Sequence, residues 1–206
     1  MTEATVPPAG LVDARIPATD APRPEMQIIP LRGRPFVGIA LAVVLFAITS
    51  NSMWALMLAH VAGGGIWTAV DLFLGLILGP IMGKMSIPAR AELTSRLMPK
   101  MVLLMPTLVM MTLASGFQIA VNYGNFFPGT ANRPWLIASM VVVGIMSVVA
   151  LGLLEPANIA VLYEMRKRRP DGEVIDHLMK RFLMTAGITG VMQVATLLIM
   201  TRVATN

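Results

Sequence analysis

The sequence predicts an all-α, polytopic membrane helix bundle of five transmembrane helices, with its amino terminus in the cytoplasm and its carboxyl terminus outside. Of 206 residues, 56% are apolar and only 13% are charged. The charges cluster in short segments separated by apolar runs. Most of those runs reach the roughly 20 helical residues that a hydrocarbon core about 30 Å thick requires.

Residues 1–34 are rich in Pro and Ala and hold no apolar run long enough for a signal-peptide core. They read as a cytoplasmic tail rather than a cleaved targeting segment. Such a composition buries too little surface to offset its ordering entropy, so order in the tail would come from a neighbouring subunit.

Between Pro35 and the closing Lys84 the only ionisable side chains are His60 and Asp71. Fifty residues are too many for one crossing and suit two. The first span is placed at 36–62 and the second at 66–84, with Gly63, Gly64 and Gly65 forming the turn. The alternative breaks the chain at Thr49-Ser50-Asn51-Ser52 and makes 53–84 one long, tilted helix. The first division has the better lengths.

A charged loop, 84–100, leads to the third span at 101–121, whose Pro106 in the first turns bends it without ending it. Residues 122–134 are rich in turn formers and carry one charge, Arg133. The fourth span, 135–163, is longer than a crossing needs, with a kink expected near Pro156. After the basic run Arg166-Lys167-Arg168-Arg169, Val174, Leu178 and Phe182 fit the stripe of a short interfacial helix. The fifth span is 182–201. Gly75 and Gly79 on the second span, and Gly187 and Gly190 on the fifth, offer close-approach surfaces.

Lys and Arg concentrate on one side of this arrangement, at Arg32, Arg34, residues 84–100 and residues 166–181. Only Arg133 and Arg202 fall on the other. The bias sets the orientation and makes anchoring at the cytoplasmic lipid surface, rather than nucleic acid, the reading of the +5 net charge. There is no cysteine, so disulfides and thiolate metal sites are excluded. No internal repeat, nucleotide-binding glycine loop or nucleophile with a plausible base is present.

A carboxylate inside a membrane is costly and is a functional hypothesis by default. At about 1.5 Å per residue, Asp71 lies roughly 20 Å above Lys84, Glu155 roughly 16 Å above Arg166 and Gln193 roughly 18 Å above Arg181. Asp71, Glu155 and Gln193 are therefore expected to form an interhelical hydrogen-bonded cluster near the midplane, with at least one carboxyl protonated.

His60 is followed seven residues later by Trp67, then by Asp71, Phe73 and Pro80 in an apolar helix. The third span has basic residues followed by a Pro-containing apolar stretch ending Ser115-Gly116-Phe117. This pattern, over about 52–163, resembles a superfamily of small membrane proteins that includes copper-resistance D-type proteins, J-type protoporphyrinogen oxidases of bacterial haem synthesis and an uncharacterised branch, to which it is nearest. The resemblance implies a bacterial-type inner membrane location. From the oxidases it implies a b-haem at His60, with Trp67 beside it, and a partner lysine near the start of a later helix. The matching start here, Trp135 to Ser139, carries no lysine. His60 is expected near the external surface and His177 in the cytoplasmic segment, so the two cannot share an iron.

The copper branch implies Met and His ligands. The chain has 18 methionines, and Met98, Met101 and Met105 fall on one helix face, where they could present three sulfurs or simply pack. The expected function is an accessory subunit, not catalytic alone, docking onto a larger membrane redox complex. A b-haem redox protein and a copper uptake or resistance protein are the alternatives.

Overall fold

The computed structural model describes residues 33–167 and 169–205. The tail to residue 32, including Arg32, and Arg168 of the basic run lie outside the described residues. Among those described there is no strand, and five helices are present: α1 (Arg34–Thr49), α2 (Met53–Gly83), α3 (Ile87–Asn122), α4 (Arg133–Arg166) and α5 (Gly172–Thr205). The last four are long and apolar enough to cross a membrane, whereas α1 has 16 residues, about 24 Å. Their outward faces are apolar: Leu45 is 63% exposed, Val148 72% and Leu198 70%. Surfaces of this kind are solvated by lipid.

The hairpin at the glycine triplet is overturned. The chain breaks at 50–52, and α2 runs unbroken through Gly63, Gly64 and Gly65. Asn51 takes a left-handed conformation (φ 50°), and Ser52 caps α2 by accepting from the Ala55 amide at 3.5 Å. Glycine's helix penalty is a property of chains in water; in a bilayer an unbonded peptide group costs more, so the helix continues. Gly63 instead lets α3 approach, since a Cβ there would lie 2.8 Å from Thr112 Oγ1.

Three other boundaries move in the same sense. Residues 87–100 are the first turns of α3 rather than a loop, so Pro106 sits mid-helix. The separate interfacial helix is absent, because its residues continue into α5. The buried stripe there is Ile175, Met179 and Phe182, while Val174 is exposed. The turn region 123–132 is as expected, with left-handed Gly124 and Gly129.

Ends are tied by polar contacts. At one end Arg90 donates to Gly83 O (2.9 Å), Met85 O (3.0 Å) and the Asp176 carboxylate, clasping the α2–α3 turn to α5. Buried Glu164 closes the α4–α5 connection by accepting from the Lys167 ammonium (2.5 Å) and the Asp171 amide (3.3 Å). At the other end Asn51 accepts from Asn122 (2.7 Å) and Gln118 (3.4 Å), joining the α1–α2 turn to α3.

Helices α2 and α4 each contain one π-helical turn, at Phe73–Leu78 and Ala150–Leu154. The widened geometry shows in bonds from the Gly79 amide to Leu74 O and from the Glu155 amide to Ala150 O, each spanning five residues. Each turn ends two residues before a proline, Pro80 or Pro156. The proline ring clashes with the carbonyl four residues earlier, and opening the helix by one residue relieves that clash. Sequence placed the distortion near Pro156; the one before Pro80 obeys the same rule.

Within the first of these turns α2 meets α5 backbone to backbone. A Cβ on Gly75 would lie 2.2 Å from Gly187 Cα and 2.5 Å from its nitrogen, whereas one on Gly187 would lie 3.3 Å from Gly75 Cα. Gly190 packs on Leu72, and Gly79 faces Leu183. Only small residues permit this approach, and dispersion over the contact is what holds membrane helices together. The two glycines are unequal, so Gly75→Ala should destabilise the protein by about 3 kcal/mol or more and Gly187→Ala by about 1 kcal/mol. Thermal unfolding in detergent checks the order; equal effects would show that the contact is not this one.

Candidate functional site

Asp71 follows from the α2–α5 approach. One turn from Gly75, its side chain is 1% exposed and is held from α5. Gln193 Nε2 donates to Oδ2 at 2.7 Å, and the Thr189 hydroxyl lies 3.0 Å from the same oxygen. That hydroxyl is also within reach of Thr185 O (3.1 Å) and Ala186 O (3.0 Å) on its own helix. The other oxygen, Oδ1, is buried without a hydrogen bond, as is Gln193 Oε1. No Lys, Arg or His among the described residues pairs with Asp71.

Glu155 belongs to the neighbourhood but not to the hydrogen-bonded group. It starts the turn after the π segment of α4, half-buried, and bonds neither Asp71 nor Gln193. It and Asp71 instead line one small cavity of about 20 Å³, walled by Trp67 of α2, Met105 and Pro106 of α3, and Leu154 of α4. No residue of α5 lines it. The expected three-membered cluster is thus a bonded pair, Asp71 and Gln193, with Glu155 across a cavity. Depth along a helix put the three groups in one layer but did not give the direction in which Glu155 points.

Sequence reading missed Thr189, although Thr185, Thr189 and Gln193 recur every four residues and so share one face of α5. It also missed Asn158, one turn on from Glu155 and fully buried with neither amide atom hydrogen-bonded.

His60 lies inside α2, about 10 Å from its start, rather than at a turn. Its Nδ1 is 2.9 Å from Thr112 O of α3. A carbonyl only accepts, so Nδ1 carries a proton and donates it to Thr112 O. The ring rests on Gly116, where a Cβ would come within 2.5 Å of Cε1. Gly116 of the Ser-Gly-Phe stretch therefore makes the room that the imidazole fills. Trp67 and Asp71 share that face of α2, with Trp67 buried in the main core and Asp71 about 16 Å further along. His177 is exposed at the far end of the molecule.

Met98, Met101 and Met105 are all buried, and they pack in one apolar cluster with Met82, Met146 and Phe182. No group of three or more His, Asp or Glu side chains among the described residues could hold a metal ion. Comparison of the chain with protein-family models, with curated proteins and with solved structures finds no match.

Hydrogen bonds between membrane helices average about 0.6 kcal/mol and reach about 1.7 kcal/mol. A double-mutant cycle on Asp71→Leu and Gln193→Leu should give a coupling at the upper end of that range, about 1.5 kcal/mol, with the double variant close to wild type because no polar group is left unpaired. Unfolding in detergent measures it, and additive single effects would mean that the 2.7 Å contact carries no energy.

Proposed function

We propose that the chain crosses the membrane five times with its amino terminus in the cytoplasm, and that it is an accessory subunit of a larger membrane complex, to which it contributes a proton-exchanging carboxyl, Asp71. The orientation rests on the Lys and Arg residues gathered at the Arg90–Asp176 end, against Arg133 and Arg202 at the other. The apolar outward face of α4, with Val148 and Leu151 exposed, is surface that a neighbouring helix can take.

The observation that carries the reading is the half-satisfied carboxyl. An ionised Asp at mid-membrane costs about 2.5–3.5 kcal/mol. Two interhelical donors return about 1–3 kcal/mol. The donors offset much of that cost on one oxygen and leave the other, Oδ1, without a hydrogen bond. A purely structural polar contact would be expected to satisfy both oxygens.

A b-haem at His60 is the second reading. A histidine that ligates a metal donates its other ring N–H to a fixed acceptor, and the Nδ1 contact with Thr112 O supplies that arrangement.

Isolation from native membranes in mild detergent tests both. The proposal expects co-purifying membrane subunits, and an Asp71→Asn variant that keeps the same subunits while proton uptake in vesicles falls about 100-fold. A chain that purifies alone, or an Asp71→Asn complex that moves protons at the wild-type rate, contradicts it. In the same preparation a reducible Soret band lost in His60→Ala supports haem, and a colourless protein removes it.

A further inference from the structure

Where the bilayer lies along the bundle decides which side of the membrane Asp71 faces. Exposed aromatic rings gather at the end where the α1–α2 turn meets α3: Trp54 of α2, Tyr123 and Phe127 after α3, and Trp135 of α4. Rings so placed mark one edge of the hydrocarbon. A core about 30 Å thick takes roughly 20 helical residues, so from Trp54 its other edge falls on α2 near residue 74.

Lys100 stands at that level. Gly63 packs on Thr112, and Arg90 donates to Gly83 O. Equal steps along the antiparallel α2 and α3 from either contact bring Lys100 level with residues 73–75. Its side chain is exposed, and an exposed ammonium is tolerated at the edge of the hydrocarbon far more cheaply than inside it. Helix α1 agrees. Its 16 residues run about 24 Å back from Thr49 to the exposed Arg34. A hydrocarbon layer that reached the Arg90–Asp176 pair, about 48 Å along α3 from Asn122, would leave Arg34 bare inside it. The excess length of the four long helices, 31 to 36 residues each, therefore lies on the basic side, where the Arg90–Asp176 and Glu164–Lys167 pairs sit.

We infer that the edge of the hydrocarbon crosses the bundle at Lys100, that Asp71 lies about 5 Å inside this edge rather than at the midplane, and that it exchanges its proton with the basic side of the membrane. This rests on the proton-exchanging reading of Asp71 and names the side it serves. Toward the aromatic rim the carboxyl is separated by about 26 Å of helix, nearly the whole hydrocarbon. The step is an acid dissociation: the Asp71 O–H bond breaks, the proton passes to water on the basic side, and the carboxylate stays beside Gln193 and Thr189. At this depth the charged form costs less than it would at mid-membrane. Around the carboxyl α2 and α3 present neutral side chains, α5 presents Thr189 and Gln193, and Glu155 of α4 is the other titratable group on the same cleft.

The chain has no cysteine, so exposed residues along α2 can be changed one at a time and spin-labelled in the full-length protein in lipid vesicles. Collisions with oxygen, which concentrates in hydrocarbon, are compared with collisions with a water-soluble nickel complex. Across Leu58→Cys, Ile66→Cys, Phe73→Cys, Ile77→Cys and Ile81→Cys the preference for oxygen should peak at Ile66→Cys and fall several-fold by Ile77→Cys, with Lys100→Cys matching Ile77→Cys. A peak at Phe73→Cys or beyond centres the bilayer on Asp71 and overturns the placement. In vesicles of uniform orientation, a pH step on the basic side alone should then shift the infrared carboxyl band that moves with carbon-13 aspartate and is lost in Asp71→Asn. A shift produced from the opposite side, alone or as well, overturns the assignment of side. A band indifferent to both steps overturns the proton-exchanging reading itself, while the depth given by the labels stands.

Discussion

Gly75 and Gly187 meet where any larger side chain on α2 would enter the backbone of α5. That approach sets the separation of the two helices, and the position of Asp71 follows from it. With the backbones in contact at one level, side chains about one turn further along span the remaining gap, and Gln193 and Thr189 reach a carboxyl that no cation neutralises. A wider crossing would leave Asp71 among apolar side chains, at the full cost of a bare charge in the membrane. The small residues and the polar ones are therefore parts of a single arrangement, in which van der Waals packing makes the hydrogen bonds possible.

Proline organises the other half of the site. Pro80 and Pro156 each follow a π-helical turn, and each intramembrane carboxyl borders one, Asp71 just before its turn and Glu155 just after. Pro99 and Pro106 lie within α3 without such a turn, so proline is not sufficient. I-to-i−5 bonding rotates the residues beyond the turn relative to an uninterrupted helix, so the register of Glu155 toward the cavity is a consequence of Pro156.

Much of this was legible in the sequence. The apolar runs and the charges between them pointed to an all-helical chain with membrane-type helices, and Gly75, Gly79, Gly187 and Gly190 marked close-approach faces that the structure brings together. Asp71 and Gln193 were paired by depth alone. What misled was glycine: three in succession at 63–65 look like a turn by rules learned in water, whereas in a membrane they are a surface against Thr112, and the stronger signals were the left-handed Asn51 and capping Ser52. Helix ends were underestimated for a related reason, since charged residues at 87–100 and 172–181 continue helices past the hydrocarbon into the polar layer. Glu155 was assigned a bond it lacks because rise per residue gives depth and leaves azimuth open until the neighbouring helices are placed.

The arrangement depends most directly on the packing of α2 against α5, and the absence of native cysteine makes that packing open to a clean test. A Cβ at Gly79 lies 3.8 Å from Leu183 Cβ, close to the mean of about 3.8 Å found between the Cβ atoms of disulfide pairs. Gly79→Cys combined with Leu183→Cys should form a disulfide under mild oxidation in the membrane, while Gly65→Cys, whose position has no neighbour within 4 Å, should not form one with the same Leu183→Cys. Failure of the first pair to cross-link, or equal cross-linking of the second, would contradict the contact that places Asp71 beside Gln193.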